Sequence, residues 1–195
     1  TRGYIGMAGV GLARGALERC LVYAAAKKIG DHRLIDEDWV RFMIADTIQE
    51  ITSVRNACYN FAVALDTRHA WQLFEALPVR ASLNLLPRAL ILSAPVAALA
   101  GKKFLDQAGT YLKNSLVDDD TIEDFVRYGS AVKVAGTDLA VKTASRMLDI
   151  VGLEGMDQCH GLEKCFRDAK ITQIYEGSNQ ANRIDLFNLE VGRLL

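Results

Sequence analysis

The segment Arg167-Asp168-Ala169-Lys170-Ile171-Thr172-Gln173-Ile174-Tyr175-Glu176-Gly177-Ser178-Asn179-Gln180 holds the residues of this chain most able to do chemistry, because it sets a carboxylate and a glycine just ahead of a helix start. Ser178 is an N-cap type whose hydroxyl can accept from an amide of the first turn. A helix that begins there aims unpaired N–H groups and the positive end of its dipole at whatever lies ahead, which is how anions such as a pyrophosphate are held. Glu176 stands beside that position. On spacing alone the simpler reading is an ordinary helix start, with Gly177 easing the turn.

Other chemistries find less support. The three histidines, His32, His69 and His160, are scattered, and Cys159-His160 with Cys165 lacks the spacing of a zinc site, so no metal is expected. A di-iron bundle needs paired Glu-x-x-His motifs, which are absent. There is no G-x-S-x-G nucleophile elbow and no glycine-rich phosphate loop. With 23 Lys plus Arg against 24 Asp plus Glu, the net charge of -1 offers no footprint for nucleic acid or an anionic membrane. Four cysteines in 195 residues do not make a disulfide scaffold, so a reducing, intracellular compartment is expected.

The elements that must position Glu176 read as helices. Ile5, Ala8, Leu12, Ala16, Leu17, Leu21, Ala24 and Ala25 recur at helical spacing from Tyr4 to Lys28. Gly3, Gly6, Gly9, Gly11 and Gly15 interrupt that stretch, and each interior glycine costs about 1 kcal/mol relative to Ala, which implies a close neighbour, either another helix or a ligand. A second helix, capped by Asp36, carries Val40, Ile44, Ile48, Ile51, Val54, Cys58, Phe61 and Leu65 on one stripe. A third is predicted from about Asp120 to Val151 with Ile122, Phe125, Val132, Leu139 and Met147 inward, and a fourth from Asn179 to about Arg193. Residues 66–119 contain all three prolines and suggest two or three shorter helices beside the main ones. Their apolar run Leu83 to Ala100 is broken by Pro87, Arg88 and Pro95, so it reads as buried helix rather than a membrane span. The expected fold is all-α: an antiparallel four-helix bundle with an extra helical insertion.

The string from Asp168 to Gln180 followed by Arg183 resembles the closing signature of the acyl-CoA dehydrogenase family, in which a Tyr-Glu-Gly-Thr segment meets flavin and substrate. Thr1-Arg2 with Val10-Gly11-Leu12-Ala13 and Ala16-Leu17 is similar to the first helix of that family's C-terminal domain. The likeness covers residues 1 to about 65 and 129 to 195, leaving about 66–119 as an insertion in a single domain, 1–195. It implies an FAD enzyme converting an acyl-CoA thioester to trans-2-enoyl-CoA, with Glu176 removing the α-proton and hydride passing from the β-carbon to the flavin. Some members of the family place the base at the position of Thr1, which has no carboxylate.

By the same matching, Arg2 is expected to contact the acyl-CoA. Tyr175 and Gly177 would line the substrate and flavin site, and Ser178 with Gln180 would approach the FAD phosphates. Lys27 matches an arginine that reaches another subunit's FAD, and Gly152 belongs to a glycine element with the same role. Three departures stand out: Asp38 and Asp149 replace glutamines, and Leu153 separates Gly152 from the glycine usual beside it. Carboxylates near phosphates repel.

The resemblance further implies a homo-oligomer, dimer or tetramer, that passes electrons to an electron-transferring flavoprotein in the cytoplasm or the mitochondrial matrix. The chain starts Thr1-Arg2-Gly3-Tyr4 without Met and so reads as a fragment, and the resemblance implies N-terminal helical and middle β domains outside it. The altered Asp38, Asp149 and Leu153 motivate an alternative, a non-catalytic or assembly subunit that uses the bundle as an interface. The retained Glu176 counts against it.

Overall fold

The computed structural model describes residues 2–67, 119–192 and 194. These are all-α apart from one small hairpin: α1 is Arg2–Ala26, α2 Asp38–Thr67, α3 Asp119–Val151, α4 Leu162–Thr172 and α5 Asn179–Val191. Between α1 and α2 the chain turns through β1 (Lys28–Ile29) and β2 (His32–Arg33), antiparallel, with Ile29 opposite His32 and Gly30 at φ +60° in the turn. A short 3₁₀ turn, Leu34–Asp36, follows, and a second, Gly152–Met156, follows α3. The chain divides into two compact units, Thr1–Phe61 with Val126–Leu195, and Ala62–Phe125. The first unit carries the candidate site.

Small residues on α1 let helix backbones meet in this unit. A Cβ added at Gly6 would lie 2.3 Å from Val132 O, one at Gly9 2.4 Å from Gly136 O, and one at Gly136 2.1 Å from Gly6 O. The matching positions rise together, so α1 and α3 run in the same direction and touch backbone to backbone. Gly3 faces the Phe61 ring in the same way. The neighbour implied by these three α1 glycines is therefore a helix. Gly11 and Gly15 face open space instead. α2 runs against both: Phe61 lies beside Gly3, while Glu50 reaches Lys142 and Arg146. Val10, Leu17, Val40, Ile44, Ile51, Val132, Leu139 and Met147 fill the core, each worth about 1.5–3 kcal/mol of apolar burial.

Three expectations about the helices need correction. On α2 the inward residue is Thr47, fully buried, and Ile48 is exposed. The spacing 40, 44, 47, 51, 54, 58, 61 keeps closer to 3.6 residues per turn, and the Thr47 hydroxyl is satisfied by donating to Met43 O at 2.7 Å. Asp36 does not cap α2; its carboxylate takes the Arg33 side chain at 3.0 and 3.1 Å and closes the 3₁₀ turn, so α2 starts two residues later. Ahead of the expected fourth helix lies an additional one, α4, whose buried Leu162, Ala169 and Thr172 lie among charges paired along its length, Glu163 with Arg167 and Lys164 with Asp168. α5 ends at Val191, near the expected limit. Val132, Leu139 and Met147 are buried on α3 as expected, and Phe125 is half-buried. The Ile122 side chain and Arg193 lie outside the described residues, as do His69 and the run Leu83 to Ala100. No helix among the described residues is long and apolar enough to cross a membrane.

Candidate active site

Glu176 sits in the loop joining α4 to α5. α4 closes with Ile174 N and Tyr175 N both donating to Ile171 O, at 3.0 and 3.3 Å. The chain then turns through two successive left-handed residues, Glu176 at φ +56° and Gly177 at φ +89°. Glycine takes that conformation freely; a glutamate there costs on the order of 1–3 kcal/mol and persists only where its surroundings over-determine it. Among the described residues Glu176 alone, glycines aside, has positive φ.

The over-determination is visible. Asn179 N donates to Gln173 O at 2.9 Å and closes the loop. α3 supplies the floor through Lys133, Thr137 and Asp138, which a helix brings to one side one turn apart. The Lys133 ammonium donates to Gly177 O at 2.5 Å, to Asn179 Oδ1 at 2.8 Å and to Gln173 O at 3.4 Å. Asn179 Nδ2 donates to Thr137 Oγ1 at 2.8 Å and to Asp138 Oδ1 at 2.7 Å, and Gln173 Nε2 donates to Asp138 Oδ1 at 2.6 Å. The Arg183 guanidinium also engages Asp138. From above, Asn182 Nδ2 donates to Gly177 O and Ser178 O, at 3.0 and 2.8 Å. Lys133 is fully buried, and burial pushes its pKa down, opposed by the Asp138 charge and reinforced by the nearby Arg2.

The structure gathers most of the predicted residues here. Tyr175, Glu176 and Gly177 are exposed on the loop, with Ser178 half-buried and Gln180 exposed on the first turn of α5. Ser178 caps α5 as expected, accepting from Ala181 N at 3.2 Å. That bond and the Asn179 N–Gln173 O bond use two of the helix's first amides, so the end available to an anion is smaller than a bare helix start offers. Arg2 joins the group from the first turn of α1: its NH1 donates to Asp185 at 2.7 Å and Ser130 Oγ at 3.0 Å, and a Cβ on Gly177 would lie 4.0 Å from its Nε. Ile171 on α4, Ile174 in the loop and Ile184 and Phe187 on α5 leave exposed apolar surface. Thr1 lies outside the described residues.

Lys27 and Gly152 form a separate group. They lie past the other end of α1, whose 25 residues span about 37 Å. There the Lys27 ammonium pairs with the Glu154 carboxylate, which also accepts from Tyr23 Oη at 2.8 Å. The Tyr23 and His160 rings meet edge to face at 5.5 Å. Gly152 is exposed at φ +71°, and Leu153 beside it is 91% exposed. The residues of the Glu176 loop suit a flavin and a thioester, being exposed, polar and next to a helix start. Lys27 fits a phosphate less well, since a carboxylate already matches its charge.

Lys133, Asp138, Asn179 and Asn182 were missed from sequence. One signal was there to find: Ser130, Lys133, Thr137 and Ala140 fall at helical spacing on the inward stripe of α3, and a lysine on such a stripe must have buried acceptors.

The model of the acyl-CoA dehydrogenase C-terminal domain family matches residues 1–79 and 106–187, which leaves 80–105 between the two matched stretches. Cyclohex-1-ene-1-carbonyl-CoA dehydrogenase of Geobacter metallireducens is 33% identical over a stretch covering 46% of this chain and 26% of that protein. A probable acyl-CoA dehydrogenase of Mycobacterium leprae is 24% identical over 94% of this chain and 34% of its own length. Among solved structures, butyryl-CoA dehydrogenase from Megasphaera elsdenii shares the fold with a TM-score of 0.64 at 19% identity, over 97% of this chain and 36% of that one. The chain thus spans about a third or less of the length of the curated relatives it matches.

Proposed function

This chain belongs to the acyl-CoA dehydrogenase family through its C-terminal domain, and we propose that within the complete protein it supplies the base for α,β-dehydrogenation of an acyl-CoA thioester. FAD, when bound, would supply the acceptor for the β-hydride. A Glu176 carboxylate oxygen takes the α-proton, the electron pair of the broken Cα–H bond becomes the new Cα=Cβ bond, and trans-2-enoyl-CoA results. An α-proton next to a thioester is weakly acidic, so a carboxylate stripped of water by cofactor and substrate is a stronger base than one in water. The observation that carries the reading is the strained Glu176, held at φ +56° by a loop pinned at both ends.

Arg2 binds the acyl-CoA from α1, Tyr175 and Gly177 line the site, and Ser178 with Gln180 faces the FAD phosphates. Lys27 and Gly152 serve the cofactor of a neighbouring subunit, a role supported by their place past the far end of α1 from Arg2. The reading includes a homo-oligomer, dimer or tetramer. Electrons leave to an electron-transferring flavoprotein, in the cytoplasm or the mitochondrial matrix. Anaerobic incubation of the full-length protein with acyl-CoA thioesters, followed by mass spectrometry, tests this. A product two hydrogens lighter with a trans-2 double bond supports the reading; recovery of every thioester unchanged rejects it.

The paired Lys27–Glu154 and the exposed Leu153 favour a second reading, a non-catalytic assembly subunit that holds no flavin. Flavin content of the purified full-length protein separates the two.

A further inference from the structure

The Lys133 ammonium is buried where an apolar side chain of similar volume would fill the space without the cost of removing a charge from water. Its three N–H donors have three oxygen acceptors within 3.4 Å, so the charge is fully engaged. Two of those acceptors are main-chain carbonyls on either side of Glu176: Gln173 O three residues before it and Gly177 O immediately after. Between them lies the left-handed Glu176. Charge-assisted bonds are roughly twice as strong as neutral ones, and this pair spans the segment whose conformation costs most.

Asp138, within the same network, supplies the opposite charge and holds Gln173 and Asn179 from the side. We propose that Lys133 is a positioning residue: its ammonium clamps the carbonyls of Gln173 and Gly177 and so fixes the direction in which Glu176 presents its carboxylate. The inference rests on the reading of Glu176 as the base.

The test uses the full-length protein with Lys133→Met, and with Lys133→Gln, which keeps a neutral donor and decides the matter if Lys133→Met does not fold. Two readouts are taken. Hydrogen exchange, followed by mass spectrometry, is expected to speed up by about tenfold in peptides covering 173–180 while peptides of α1 keep wild-type rates. Single-turnover flavin reduction at saturating thioester is expected to fall by about 100-fold, the cost of misplacing a reacting group by about 1 Å, with thioester Kd changed by less than about threefold. Wild-type exchange together with a reduction rate within about threefold of wild type overturns the proposal. If wild type itself reduces no flavin with any thioester, the reading of Glu176 as base fails, and the exchange result alone decides whether Lys133 clamps the loop.

Discussion

Glu154 is paired with Lys27, across the turn that follows α3, and it draws in the Tyr23 hydroxyl at 2.8 Å. The hydrogen bond from Lys27 is the main reason the Glu154 pKa lies below the usual carboxylate range, and the same bond raises that of Lys27. The cation the resemblance assigns to a cofactor phosphate is therefore already neutralised by a residue from the glycine element meant to assist it.

Removing that carboxylate should release the cation. Glu154→Gln in the full-length protein is expected to tighten FAD binding by about threefold, as fits a solvent-exposed pair, and the gain should shrink as salt is raised. Titration of apoprotein with FAD, followed by flavin fluorescence, measures it. Unchanged affinity at low salt would show that Lys27 does not meet the cofactor.

The α1–α3 crossing predicts opposite effects from one kind of substitution. Gly6→Ala or Gly136→Ala forces a Cβ into backbone at 2.3 or 2.1 Å and should cost about 1–3 kcal/mol or more. Gly11→Ala and Gly15→Ala meet nothing within 4 Å, and each should add about 0.5–1 kcal/mol to the stability of this domain through helix propensity. Chemical denaturation of the expressed domain reads both. Destabilisation by Gly15→Ala would mean that another surface covers α1 there.

Glu50 ties α2 to α3 by accepting from Lys142 at 2.8 Å and pairing with Arg146 at 3.0 Å. Burial alone would raise its pKa, but the two cations outweigh burial and hold it below the ordinary value. A depressed folded pKa means the pair stabilises the fold above the unfolded pKa of about 4.3, and that contribution disappears as pH falls through the lower folded value. Glu50→Gln should therefore cost about 0.5–1 kcal/mol near pH 7, and the difference from wild type should shrink once pH drops below about 4. Thermal melts across that range check it; a gap that widens toward acid would contradict the assignment.

The sequence carried the helices best where one face is apolar. The stripe of α2 could be read to within one residue: an apolar pattern selects Ile48, whereas the buried residue is Thr47, whose hydroxyl bonds back to Met43 O. α4 leaves a weak apolar pattern in the sequence because its charges, paired four residues apart, outnumber its three buried positions. At the site, Ser178 and Glu176 could be read because capping and the Glu-Gly turn are local. Lys133 is 43 residues from Glu176 in the chain, and only the fold brings its ammonium to Gly177 O. The pairing of Lys27 with Glu154 was hidden for the same reason, since it depends on the turn after α3 folding back to the end of α1.

If Glu176 is the proton-abstracting base, its loss slows flavin reduction and leaves binding intact. The most direct measurement is the flavin absorption spectrum of the full-length protein, wild type and Glu176→Gln, before and after anaerobic addition of acyl-CoA thioesters. Both are expected to bind flavin, and both spectra to shift on thioester binding. Wild type bleaches, and the variant is slower by about 10²–10⁴-fold, the scale set by losing a general base. Bleaching of the variant at a rate close to that of wild type would contradict it.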